Sequence, residues 1–256
     1  MKQTIILWLL LYSCCLWCQK RYVTIDDQEY RIRDLGNGQV TVVFENGMSD
    51  SLEVWGAIPD SVAAKARIFQ YDRADIGKSG LSQNQRTIPN MVRELRGILK
   101  DQRICPPYVL VGHSMGGLIV RYFASHYPGE VKGMLLLDPV PESFWKTMNK
   151  QEYKEYFKGG NEWYETRFKP QYRKEWYAFQ SNLGYMDSLT VRGSLPVILI
   201  SSSSWKWYKY HKDIAAKYEN AKHFELEGEH HIFKNHPEFV MRCILELLGS
   251  HDPEIQ

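Results

Sequence analysis

The chain has 256 residues, enough for one large domain or two small ones with a buried core. Its 32 basic and 30 acidic residues leave a net charge of +2. No electrostatic field able to gather nucleic acid follows from that balance, so nucleic acid is excluded as a partner.

Residues 1–20 read as a targeting segment. Lys2 supplies a positive charge, and Ile5 to Leu11 is a continuous apolar run. Gln19-Lys20-Arg21 follows too soon for a convincing membrane span, although an uncleaved anchor is the alternative. Leu11-Tyr12-Ser13-Cys14 resembles a lipoprotein box, with Tyr12 an imperfect fit. The protein is therefore expected to be exported, periplasmic or extracellular, either soluble or anchored to a membrane through lipidated Cys14. Cys15 and Cys18 also fall in this leader. Cys105 and Cys243 remain, and they are expected as two buried thiols rather than a disulfide framework. No CxxC pair and no clustered His/Cys spacing points to a metal site.

Tyr22 to Ile25 and Glu29 to Arg33 read as short strands joined by an Asp26-Asp27-Gln28 turn. Val40 to Phe44 is β-branched and apolar, the pattern of a central buried strand. Ser51 to Ala66 reads as helical, with Pro59 as an interruption. Arg67 to Tyr71 is a further strand, and Asp72 to Asn84 a polar loop. Ile88, Met91, Val92, Leu95, Ile98 and Leu99 recur at helical spacing and predict a helix over Ile88 to Arg103. A strand at Tyr108 to Val111 leads into a helix that runs to Tyr127, where Pro128-Gly129 stops it. Val131 to Leu137 is the next strand and ends at Asp138-Pro139. Leu195 to Ile200 and Lys222 to Leu226 are the last strands, with helices at Lys206 to Tyr218 and Pro237 to Leu248. Strands alternating with helices predict an α/β fold, a mostly parallel sheet covered on both faces. Residues 21–140 and 191–256 form its core. Residues 141–190 break the rhythm with charge and aromatic rings, and are expected as a helical cap over the strand ends, where ligands bind in such sheets.

Between the Tyr108 strand and its helix stands Gly112-His113-Ser114-Met115-Gly116. In a strand–turn–helix context this G-x-S-x-G pattern is a nucleophile elbow. The turn is so tight that the flanking positions must carry almost no side chain, and it lifts the serine hydroxyl clear of the sheet. A serine hydroxyl needs a base, a group that orients the base, and donors for the oxyanion. His230, in Gly228-Glu229-His230-His231, lies between the last strand and the last helix and is the chosen base, with His231 as runner-up. The oxyanion donors are the N–H of Met115 and that of Met48, in the Glu45-Asn46-Gly47-Met48-Ser49 loop. Asn46-Gly47 reads equally well as a plain turn. The acid is Asp138, an acidic residue closing an apolar strand. Glu142, Asp213 and Glu229 are the alternatives, since Ser201 to Ser204 stand where an acid often follows the Leu195 strand.

These motifs resemble those of the α/β-hydrolase superfamily over Gln39 to Leu248. Tyr71-Asp72-Arg73-Ala74-Asp75-Ile76-Gly77-Lys78-Ser79 resembles its YDRAGxGxS loop, with Asp75 in place of the usual glycine. Pro107 to Gly117 resembles its elbow, and Leu135-Leu136-Leu137-Asp138-Pro139 its following strand. His230 precedes Pro237-Glu238 by seven residues, where that superfamily's catalytic histidine usually lies. Glu45-Asn46-Gly47 departs from the His-Gly of many members. Asp72 and Arg73 are read as structural ion-pairing residues.

The resulting expectation is a serine hydrolase that cleaves a carboxylic ester of a small or medium apolar molecule through an acyl-enzyme, without a cofactor. An aminopeptidase-like, amide-cleaving enzyme is the alternative, for which Glu152, Glu155, Glu162 and Glu165 would be the acidic groups. A non-catalytic binding member of the fold is the other. Among the aromatic residues of 141–190, Trp145, Trp163 and Trp176 are the expected substrate contacts.

Overall fold

The computed structural model describes residues 20–190 and 194–249. The leader, with Cys14, lies outside the described residues except for Lys20. Eight strands form one sheet: β1 (Arg21–Ile25), β2 (Gln28–Leu35), β3 (Thr41–Glu45), β4 (Arg67–Tyr71), β5 (Tyr108–His113), β6 (Val131–Leu137), β7 (Val197–Ser202) and β8 (Ala221–Leu226). Their order is β1-β2-β4-β3-β5-β6-β7-β8. The β1–β2 and β2–β4 pairs are antiparallel, and every pair from β4 to β8 is parallel. β5, the strand that carries the elbow, therefore sits in the middle with β3 on one side and β6 on the other.

The central strands are apolar at successive positions because both sheet faces are covered. Val43, Leu110, Leu136 and Leu199 face one buried cluster, and Val42, Val109, Leu135 and Ile198 face the other. Helices α2 (Ile88–Asp101) and α3 (Met115–His126) cover the first face. Helices α1 (Ile58–Ala63) and α9 (Pro237–Leu248) cover the second. Helix α9 does so with Val240, Ile244 and Leu247 at spacings of four and three.

Between β6 and β7 lie α4 (Glu142–Lys146), α5 (Lys150–Arg167) and α6 (Pro170–Gly184). Helix α5 starts with a capping box: the Asn149 side chain accepts from the Gln151 and Glu152 N–H groups, and Glu152 accepts from the Asn149 N–H. It buries no residue, whereas α6 buries Glu175, Trp176, Phe179, Asn182 and Leu183. Helix α7 (Tyr208–Ala215) follows β7, and α8 (Ile232–Asn235) precedes α9.

Three local expectations change. The stretch from Ser51 is a 3-10 turn at Leu52–Trp55 and then α1, and Pro59 lies in the first turn of α1 rather than interrupting a helix. Proline fits there because first-turn N–H groups have no carbonyl to meet. The helix expected at Lys206 to Tyr218 shortens to Tyr208–Ala215. Cys105 is an exposed free thiol, while Cys243 is buried and free. Cys105 follows the end of α2 in the turn before β5, outside either buried cluster. Among the described residues, no helix is long and apolar enough to cross a membrane.

Candidate active site

Ser114 sits between β5 and α3 at φ 52° and ψ −117°, a strained backbone conformation. The surrounding glycines are required by space. A Cβ on Gly112 would lie 2.7 Å from the Gly116 carbonyl oxygen, and one on Gly116 would lie 2.2 Å from that of Glu45. Strand β3 and the elbow are thus pressed together, which brings the loop after β3 beside the serine.

His230 Nε2 lies 2.9 Å from Ser114 Oγ, and its Nδ1 lies 2.6 Å from Asp138 Oδ2. A carboxylate only accepts, so the imidazole carries its proton on Nδ1 and offers the Nε2 lone pair to the serine hydroxyl. Asp138 follows β6 at φ 40° and is fully buried. Its other oxygen, Oδ1, accepts from the Ser202 N–H at 3.0 Å, which ties the carboxylate to the end of β7. The alternative acids are engaged or placed elsewhere. Glu142 receives both terminal nitrogens of Arg121 at 2.9 Å and also pairs with Lys217. Asp213 and Glu229 are exposed. The runner-up base, His231, faces Asp50, with Nε2 at 3.2 Å from Oδ2.

Met48 and Met115 line the same cavity as Ser114. Met115 is the first residue of α3, so its N–H has no carbonyl one turn back in the helix and also lies at the positive end of the helix dipole. The loop that carries Met48 is held by Arg73. This fully buried guanidinium donates to Glu45 Oε1 at 2.7 Å, to the carbonyls of Asn46 (2.8 Å) and Gly47 (2.7 Å), and to Glu175 Oε1 at 2.6 Å. Glu175 comes from α6 and also accepts the Ser49 N–H at 2.8 Å. One cation therefore ties the loop after β3 to the insert helix. Burial raises the Glu45 carboxyl above its usual range, although Arg73 and the Tyr71 hydroxyl oppose the rise. Asp72 pairs with Arg31 at 2.7 Å and accepts the N–H groups of Leu52 and Lys78. Both Asp72 and Arg73 thus bind framework groups.

A cavity of about 580 Å³ opens over Ser114, lined in large part by aromatic rings. Trp163 and Trp176 are on its wall. Trp145 is not: it is 3 % exposed and packs against Phe144, Phe179 and Trp207, so its expected substrate contact is replaced by a packing role. Trp205 and Trp207, in the segment after β7, line the cavity instead. Trp205 stacks on the His230 ring at 5.0 Å, and Trp207 meets it edge-on at 5.4 Å. Their signal was the Ser201 to Ser204 run followed by Trp205-Lys206-Trp207 at a strand's C-terminal end. The Lys206 ammonium lies 5.0 Å from the centre of the Tyr156 ring, and burial lowers its pKa. Glu152, Glu155, Glu162 and Glu165 are all exposed on α5, and none lines the cavity.

A second serine–histidine cluster lies behind Asp138. Ser201 Oγ is 2.7 Å from both His211 Nδ1 and His223 Nε2. His211 Nε2 donates to the Pro139 carbonyl at 2.7 Å, so its Nδ1 accepts from the Ser201 hydroxyl. Burial pushes His211 down to about 4, and it is neutral at pH 7. Ser201 and His211 are both 0 % exposed, and neither lines the cavity. No carbonyl can reach that serine, so the cluster braces the backbone around Asp138. His211 and His223 had carried no sequence signal, because their partner comes from another element.

The fold and this site define a class. A family model described as alpha/beta hydrolase fold matches residues 40–233. The chain belongs to the α/β-hydrolase fold family. "Uncharacterized protein YqjL" of Bacillus subtilis is 40 % identical over 125 residues, which cover 48 % of this chain and 49 % of that protein. The human (lyso)-N-acylphosphatidylethanolamine lipase is 26 % identical over 133 residues, covering 46 % of this chain and 37 % of that protein. The matched stretch thus spans half or less of either relative. The enol-lactonase from Burkholderia xenovorans superposes with a TM-score of 0.67 at 17 % identity, over 90 % of this chain and 100 % of that one. At that identity the likeness is one of fold.

Proposed function

We propose that the protein is a serine esterase that hydrolyses carboxylic esters of small or medium apolar molecules through an acyl-enzyme. The observation that carries this reading is the run of contacts Ser114–His230–Asp138 at 2.9 and 2.6 Å, opening on an aromatic cavity. Ser114 Oγ attacks the ester carbonyl carbon while His230 Nε2 takes the hydroxyl proton. The carbonyl oxygen becomes an oxyanion, held by the N–H groups of Met115 and Met48. Asp138 stabilises the imidazolium. The C–O bond to the alcohol then breaks, and His230 returns the proton to the leaving oxygen. Water, deprotonated by the same nitrogen, attacks the acyl-enzyme, and the acid and free serine are released.

Ester is favoured over a peptide with a free amino terminus because the four glutamates of α5 face solvent rather than the cavity. A panel of p-nitrophenyl esters of increasing acyl length, run beside the matching p-nitroanilides, tests the choice. Esters should be cleaved with kcat/KM at least about a hundredfold above the anilides, roughly 3 kcal/mol of transition-state preference. Equal or better cleavage of anilides would reassign the enzyme to amides.

A further inference from the structure

Three side chains that the proposed reaction does not use meet at the rim of the cavity. They are Asp50 from the loop after β3, His113 from the end of β5, and His231 from the turn before α8. Their nearest ligand atoms all lie within 4.8 Å of one another. His231 Nε2 is 3.2 Å from Asp50 Oδ2, and His113 Nδ1 is 3.7 Å from the same oxygen.

His113 is the informative member. It is 1 % exposed, and its Nε2 lies 3.0 Å from the carbonyl oxygen of His230. A carbonyl only accepts, so the proton is on Nε2 and Nδ1 carries a lone pair. That Nδ1 is buried without a hydrogen-bond partner. Asp50 cannot supply a proton, since a carboxylate only accepts, and 3.7 Å is beyond hydrogen-bond reach in any case. A buried lone pair aimed at a carboxylate is a repulsive arrangement unless a cation stands between them. An imidazole whose far N–H is fixed on a backbone carbonyl is also the usual support of a metal-bound histidine.

Space and access agree. A Cβ on Gly47 would sit 2.6 Å from Asp50 Oδ2 and 2.8 Å from His113 Nδ1, so this glycine leaves the approach to both atoms open. Asp50 and His231 keep 24 % and 34 % of their side chains exposed, which gives an ion a path in. Tetrahedral zinc with bonds of about 2.0–2.1 Å places its ligand atoms roughly 3.3 Å apart. Two of the separations, 3.2 and 3.7 Å, already bracket that value.

We propose that Asp50, His113 and His231 form a binding site for a divalent zinc-class cation, with water in the remaining position, and that an ion there slows hydrolysis. The donor set of two imidazoles and one carboxylate suits zinc and its neighbours rather than calcium or magnesium, which prefer oxygen. On binding, the His231 proton leaves Nε2, for Nδ1 or for solvent. The coupling to hydrolysis rests on the serine-esterase reading. The His113 ring is 4.7 Å from the His230 ring and donates to the His230 backbone. A dication held there opposes the imidazolium that forms as His230 takes the Ser114 proton.

Isothermal titration of the full chain with zinc chloride tests binding without reference to activity. One ion should bind with a Kd of about 10 µM or tighter, and Asp50→Asn and His231→Gln should each weaken it at least about tenfold. His230→Gln should bind as the parent does. Far-UV circular dichroism of each variant guards against misfolding. No uptake by the parent protein at about 100 µM zinc, or equal uptake by the Asp50 and His231 variants, would overturn the site. The rate is then measured with and without zinc, each protein against its own metal-free value. A loss of about tenfold or more in the parent that disappears in Asp50→Asn is expected. Stoichiometric binding with an unchanged rate would remove the coupling while leaving the site.

Discussion

Two serines among the described residues have imidazole nitrogens within hydrogen-bond distance, and of these two Ser114 alone opens on a cavity. Ser114 lies 2.9 Å from His230, and Ser201 lies 2.7 Å from each of two histidines. By distance alone the second cluster is the tighter one. The differences are in what surrounds the oxygen. Ser114 projects from a strained turn into a cavity, beside a helix N-terminus. Ser201 is sealed in the sheet, and its hydroxyl is committed to His211. His230 has a carboxylate on its far nitrogen, while His211 has a backbone carbonyl. A hydrogen-bonded serine is thus not a nucleophile until access, a charge partner for the base and oxyanion donors are also present.

The largest contrast is expected from removing each hydroxyl in turn. Ser114→Ala should lower ester hydrolysis by roughly 10⁴-fold or more while the fold persists. Ser201→Ala should keep the rate within about tenfold and instead cost about 1–3 kcal/mol of stability, because two imidazoles lose their partner. Chemical denaturation of both variants beside their ester rates separates the two effects. A next step compares the carboxylates. Asp138→Asn should cost roughly 10³ to 10⁴-fold in kcat, since the amide no longer selects the Nδ1 proton of His230. Asp213→Asn should leave the rate within about twofold, and a large loss there alone would displace Asp138.

A smaller effect is expected from pH. Burial pushes both His113 and His211 down to about 4 in the folded chain, against 6.5 as the ordinary value. Between those two values the unfolded chain holds more protons than the folded one, so stability falls as pH drops from 6.5 towards 4. Between pH 7 and pH 5 each histidine should contribute a loss of about 2 kcal/mol. The urea midpoint, followed over that range, should fall more gently in His211→Gln than in the parent. An unchanged slope would mean that His211 is not held neutral by its burial.

Much of this site was legible because its parts are local. The β5 strand, the glycine spacing and the helix after Ser114 lie within one short stretch, and the steric demand on Gly112 and Gly116 is written directly into the residues. Asp138 stood out because a carboxylate ending an apolar strand has to be satisfied by something. The parallel strands were legible because burial on both faces makes them continuous apolar runs. The cluster behind Asp138 was not, since Ser201, His211 and His223 come from a strand, a helix and another strand. The group of Asp50, His113 and His231 was hidden for the same reason: its members are brought together by the sheet order, not by spacing along the chain. Trp145 was expected at the cavity and Trp205 was not, because composition shows that rings are plentiful but not which of them face the cavity. Cys105 was misplaced because an isolated thiol in a short connection, here between Ile104 and Pro106, carries no pattern that reports its burial.

The most direct test uses a fluorophosphonate probe, which bonds covalently only to a serine activated as a nucleophile. Intact mass followed by peptide mapping should show a single adduct, on the peptide containing Ser114, lost in Ser114→Ala and retained in Ser201→Ala. An adduct on Ser201, or labelling that survives Ser114→Ala, would contradict the assignment of Ser114 as the reacting group.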